Sequence, residues 1–105
     1  MAQFDAFANP NVGQRVAFPF VVVMQSDQLR HHSTRFVMPL ARLPRAPADA
    51  PRRLALTVEV NGERLYLAPH LSAALPAGLL KAPVVSLKRE ADVLIDALDA
   101  MVSGV

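Results

Sequence analysis

SLKREADVLIDALDAMVSGV, residues 86–105, is the stretch whose reading decides the fold. Leu87, Ala91, Leu94, Leu98, Met101 and Val105 recur at intervals of four and three, the period that places side chains on one helical stripe. Such a stripe has to be covered, because burying each larger apolar side chain stabilises by roughly 1.5 to 3 kcal/mol. Ser86 is the expected N-cap, its hydroxyl accepting a first-turn backbone N–H, and Glu90 and Asp92 sit where the positive end of the helix dipole favours anions. Gly104 permits the positive φ of a helix stop, so Ser103, Gly104 and Val105 are expected to leave the helix together. Asp96 and Asp99 lie in the later turns, where the dipole disfavours negative charge by roughly 0.3 to 1 kcal/mol. A solvated acidic face is the plain explanation for them; a face that meets a partner is the functional alternative.

Outward from the helix, the chain reads as short strands. Leu54 to Val60 alternates, Asn61-Gly62 supplies the two positive-φ positions of a type I′ turn, and Glu63 to Ala68 returns with Leu65 and Leu67 in phase, which predicts a hairpin. Pro69, Pro76, Gly78 and Pro83 divide what lies between hairpin and helix into short extended pieces. Before the hairpin, Ala41 to Arg53 holds three prolines among small and basic residues, which is loop composition. Arg35 to Leu40 reads as a strand ended by Pro39. Val16 to Met24, almost continuously apolar with β-branched Val21, Val22 and Val23, suits a central strand covered on both faces, with Pro19 at a bulge or unpaired position. Gln25-Ser26-Asp27 ends that strand with side chains suited to bonding the backbone. Gln3 to Phe7 is a short first strand with Phe4 and Ala6 on one face and Phe7 changing phase, and Asn9 to Gly13 is a turn. Some five short strands, a long loop and one closing helix predict a mainly β protein with a C-terminal helix, a compact antiparallel sheet or barrel with the helix on its open side.

A chain of 105 residues makes one domain, 1–105, and with no cysteine it has neither disulfides nor thiolate metal ligands. The N-terminus lacks the basic and apolar regions of a signal peptide, and no apolar run approaches the roughly 20 residues of a membrane span, so a cytoplasmic protein with no membrane role is expected. The net charge of +2 is too small to announce nucleic-acid binding, but it is unevenly distributed. From Arg30 to Arg53 there are six arginines against Asp49 alone, whereas four acids and no base follow Arg89. Known chemistry is mostly missing. His31 and His32 are adjacent and His70 is alone, so none has the spacing of a paired metal ligand. Ser26-Asp27 lacks a Gly-x-Ser-x-Gly elbow, and the four glycines are scattered, with no phosphate-binding pattern. Phe18, Phe20 and Phe36 are expected in the core and not on a base-stacking platform.

Three segments in order, FVVVMQSD at 20–27, TRFVMPL at 34–40 and ALDAMVSGV at 97–105, together resemble the CcdB family of toxins from bacterial toxin–antitoxin systems. The resemblance spans essentially the whole chain. It implies a homodimer of SH3-like antiparallel β-barrels, of the type shared by CcdB, MazF and Kid, each with a C-terminal helix. It further implies a protein that traps the A subunit of DNA gyrase in its cleaved-DNA state, has no catalytic residue, metal or cofactor, and binds no specific nucleic-acid sequence directly. Its implied neutraliser is a CcdA-like antitoxin with a disordered tail. The gyrase-binding residues implied are Asp99, Val102, Ser103, Gly104 and Val105; for the antitoxin they are Gln28, Leu29, Asp99 and Val102. Three positions depart from the family: Ser103 stands where tryptophan is usual, Val102 where an aromatic residue is usual, and Asp99 where asparagine is usual. Losing a large aromatic anchor at an interface costs on the order of 2 kcal/mol or more. A second reading is a MazF- or Kid-like endoribonuclease, since Gly13-Gln14-Arg15 before the Pro-Phe-Val-Val-Val strand faintly resembles that family and Thr34-Arg35 would supply a hydroxyl and a cation. A third is a decayed relative that binds antitoxin and leaves gyrase unharmed.

Overall fold

The fold is that of a computed structural model, which describes residues 2–29, 31–42 and 56–103. Seven strands form one antiparallel sheet: β1 (Asp5–Ala8), β2 (Phe20–Val23), β3 (Thr34–Arg42), β4 (Thr57–Val60), β5 (Glu63–Leu67), β6 (Ala73–Pro76) and β7 (Val85–Ser86). Their order is β4-β5-β3-β2-β1-β7, with β6 also pairing β3, and the sheet curls into a nearly closed barrel. One helix, α1 (Ala91–Ser103), follows the last strand.

Period-two alternation explains why the central strands are apolar throughout. Phe4 and Ala6, Val22 and Met24, and Met38 and Leu40 point to one core, whereas Phe7, Val21, Val23 and Val37 point to a second cluster on the reverse face with Leu80. The phase change foreseen at Phe7 is therefore the step from one face to the other. β4 and β5 have only one covered face: Val58, Val60, Leu65 and Leu67 join the first core, while Glu59 and Arg64 face water. Helix α1 closes that core with Leu94 and Ala97, both nearly inaccessible, and Leu87 sits just before it.

The hairpin forms as the Asn-Gly pair requires, with Asn61 at φ 52° and Gly62 at φ 83°. A Cβ at Gly62 would meet nothing within 4 Å, so Gly62→Ala changes backbone strain alone. The substitution is expected to destabilise by about 1 to 2 kcal/mol and to lower the melting temperature by about 5 to 10 °C. Gly78→Ala, in open space and not left-handed, is the control that leaves thermal melting unchanged. The far end of β3 is tied to the start of β5 by Arg42 Nε and Glu63 Oε2 at 2.6 Å. That hydrogen bond is the main cause holding the Arg42 guanidinium above its ordinary pKa, but the pair is too exposed to stabilise much.

Several expectations are corrected. Among the described residues there are seven strands, against the five or so expected. Pro39 does not end its strand, because β3 runs to Arg42 and takes in Ala41 and Arg42, which were expected in the loop. Along one edge β3 pairs β6 through Thr34–Val37 and β5 through Leu40–Arg42, and Pro39 falls between the two stretches. Its carbonyl accepts the Ala68 N–H at 3.1 Å, and the N–H it lacks is lost where the edge changes partner. Val16 to Pro19 stay outside β2, with Val16 exposed, since Asn9 ties this stretch into a turn: its side chain donates to the Phe18 carbonyl and its N–H to that of Pro19. Ser86 is a strand residue paired with Asp5, and its hydroxyl accepts the Lys88 N–H of a 3-10 turn, Lys88–Glu90, that precedes the helix. Met101, seven residues after Leu94 and on the same stripe, is 38% exposed, because the core covers the helix only as far as Ala97 and Leu98. Ser103, expected to leave the helix with the two residues after it, is still helical and closes α1. The loop expected over 43–53, the residues Leu54 and Ala55, and the Gly104 helix stop with Val105 lie outside the described residues.

Candidate functional site

Two surface features carry the residues singled out above, the outer face of α1 and the turn after β2. On α1 the buried positions are Leu94 and Ala97, with Ala91, Val93 and Leu98 packed partly against the core. The geometry of 3.6 residues per turn then leaves Asp92, Ile95, Asp96, Asp99 and Val102 on the opposite side, all exposed. Val102 is 74% exposed and Ile95 42%, which makes an apolar strip bordered by three carboxylates. Ile95 was not singled out from the sequence, though its place off the buried stripe is the signal that finds it. Among the described residues no cation lies within ion-pair distance of Asp92, Asp96 or Asp99, and the last turn has no basic residue to offset the helix dipole. The end of the helix is thus a region of negative potential beside exposed apolar side chains. Ser103 is its last residue, while Gly104 and Val105 lie outside the described residues.

The turn is one winding of 3-10 helix, Asp27–Leu29, with Gln28 and Leu29 on the surface and Leu29 43% exposed. The Gln25-Ser26-Asp27 triplet builds it, as its residue types predict. Ser26 Oγ accepts the Gln28 N–H at 3.2 Å, and the Ser26 carbonyl accepts the Leu29 N–H at 2.9 Å. Gln25 bridges the Leu29 carbonyl and the Phe36 N–H, and Asp27 Oδ1 accepts the N–H of Gln3 at 2.7 Å. No hydrogen bond or ion pair joins this turn to α1 among the described residues.

Thr34 and Arg35, the pair that suggested phosphodiester cleavage, open β3, and Thr34 is exposed. Arg35 is buried, and its guanidinium donates to the carbonyls of Thr34 and His32 at the mouth of β3. Arg15 lies on the surface, its Nε donating to the Asn9 carbonyl at 2.7 Å. Among the described residues no three His, Asp or Glu side chains come together as metal ligands, and no helix is long and apolar enough to cross a membrane. A groove of about 400 Å³ lies over the second cluster, above Val21 and Val37, and no residue of α1 lines it.

No curated protein matches the chain. A family model does: the one described as CcdB protein matches residues 3–104, which takes in both surface features and all seven strands. With that coverage the chain belongs to the CcdB family, the toxins of toxin–antitoxin systems.

Proposed function

We propose that this protein binds the A subunit of DNA gyrase as a homodimer, holds the enzyme on cleaved DNA, and is silenced by the disordered tail of a CcdA-like antitoxin. The observation that carries this reading is the CcdB match over residues 3–104. The toxin acts by contact and makes or breaks no bond. Trapping needs no chemistry of its own: a protein that binds the cleaved state of gyrase more tightly than the resealed state shifts the population toward it by that difference in affinity. Gyrase meets Asp99, Val102, Ser103, Gly104 and Val105, and the antitoxin meets Gln28, Leu29, Asp99 and Val102. The exposure of Asp99, Val102, Gln28 and Leu29 suits such contacts, since each presents side-chain surface that the fold does not use. With serine at 103 the tail has little apolar area, so the strip of Ile95 and Val102 takes a larger share of the contact.

The test is to add the purified protein to gyrase, ATP and closed circular DNA. Linear DNA is expected to accumulate after protein denaturation, and RNA is expected to stay intact in a parallel incubation without gyrase. RNA cut at defined sequences would replace this reading with the endoribonuclease. Neither product, with growth unaffected on expression, would identify a relative that has kept the fold and lost the activity.

A further inference from the structure

We infer that Gln25 is a positioning residue, a clamp that sets the Asp27–Leu29 turn in the conformation its partner binds. This rests on the reading of that turn as contact surface.

Gln25 is half-buried at the end of β2 and uses both ends of its amide. Its Oε1 accepts the N–H of Phe36 on β3 at 3.0 Å, and its Nε2 donates to the Leu29 carbonyl at 3.1 Å. Only one orientation of the amide serves both, because a backbone N–H can only donate and a carbonyl can only accept. The side chain therefore ties the end of an exposed turn to the central strand, across a chain separation of eleven residues at Phe36 and four at Leu29. The nearest relatives of glutamine fall short: glutamate lacks the donor, and asparagine is one methylene short.

A second brace meets the turn at its other end. Gln3 donates its N–H to Asp27 Oδ1 and its Nε2 to the Met24 carbonyl at 3.0 Å. Directly after Gln3 comes Phe4, a buried aromatic residue at φ 71° whose N–H is bonded to the Val23 carbonyl. Left-handed backbone is unfavourable for such a side chain and persists where the surroundings over-determine it. The strained residue and the two glutamines converge on the end of β2 and the turn after it, Val23 to Leu29. That is more fixation than an exposed three-residue turn needs to exist, and it suits a surface that has to be held ready before binding, where ordering it at the moment of contact would weaken affinity.

The experiment measures binding of two probes, a synthetic CcdA-type antitoxin tail and purified gyrase A subunit, to the full chain and to Gln25→Ala, Gln25→Glu, Gln28→Ala, Leu29→Ala and the double variant Gln25→Ala/Leu29→Ala. Gln25→Glu keeps the acceptor for Phe36 and loses only the donor to Leu29, so it preserves the strand pairing if Gln25→Ala loosens it. Leu29→Ala and both Gln25 variants are expected to weaken at least one probe by about fivefold, the size of one hydrogen bond or one small apolar contact. The double variant is expected to bind no more weakly than the weaker single one, since the clamp acts only through the turn. Additive losses, or Gln25 variants that bind as the parent does while Leu29→Ala weakens, would overturn the clamp and leave the contact surface standing. Leu29→Ala and Gln28→Ala that both leave the two affinities unchanged would overturn the reading of the turn itself, and the clamp with it.

Discussion

A chain ending at Val102 is expected to stop the accumulation of linear DNA by gyrase while its melting temperature moves by less than about 5 °C. The two effects separate because the tail and the core share no residue. The last positions of α1 that are fully buried are Leu94 and Ala97, and Leu98 is the last that packs partly against the first core. Removing Ser103, Gly104 and Val105 shortens the helix by one residue and brings the terminal carboxylate nearer its negative end, which costs up to about 1 kcal/mol. The proposed gyrase contact loses three of its five residues, enough for at least a hundredfold loss of affinity if an anchor of roughly 3 kcal/mol lies among them. Poisoning at full strength by the shortened chain would remove the activity from the tail and assign it elsewhere on the barrel.

The second large effect concerns stability. Leu94→Ala is expected to destabilise by about 2 to 5 kcal/mol and to lower the melting temperature by more than about 10 °C. Leu94 is inaccessible and sits in the core with Val22, Met38, Leu65 and Leu67, where strands from the middle and the edge of the sheet meet the helix. Close-packed neighbours relax only partly into such a space, so a cavity term adds to the lost transfer energy. Ile95→Ala, one residue on, removes an equally apolar but exposed side chain and is expected to cost less than about 1 kcal/mol in the same thermal melt. Equal losses at the two positions would mean that the helix packs by another face.

Much of this site was legible before the structure. The triplet Gln25-Ser26-Asp27 reads as side chains bonding the backbone at a strand end, and two hydrogen bonds of that kind fall on Gln28 and Leu29. The signal is strong because these side chains reach backbone groups only a few residues away. What stayed hidden was the distant half of each bond. That Gln25 also reaches Phe36, and that Gln3 crosses to Met24 and Asp27, depends on β1, β2 and β3 lying side by side. The exposure of Met101 was likewise illegible, since spacing gives the stripe but not where the sheet beneath it stops.

The sequence alone determined the features whose causes are local: the Asn61-Gly62 hairpin turn, the two-faced apolar strand around Val21 to Val23, the inward stripe through Leu87, Leu94 and Leu98, and the family to which the order of its motifs belongs. Only the tertiary structure decided what Pro39, Ser86 and Arg35 do. A proline ends a strand when the N–H it lacks is needed for pairing, and at Pro39 that N–H falls where β3 passes from β6 to β5. Ser86 caps no α-helix because Asp5 recruits it into the sheet, and Arg35 turns its guanidinium inward onto the carbonyls of His32 and Thr34. In each case the side chain's properties are fixed by its type, but their consequence is set by which backbone group from elsewhere in the chain is brought within about 3 Å.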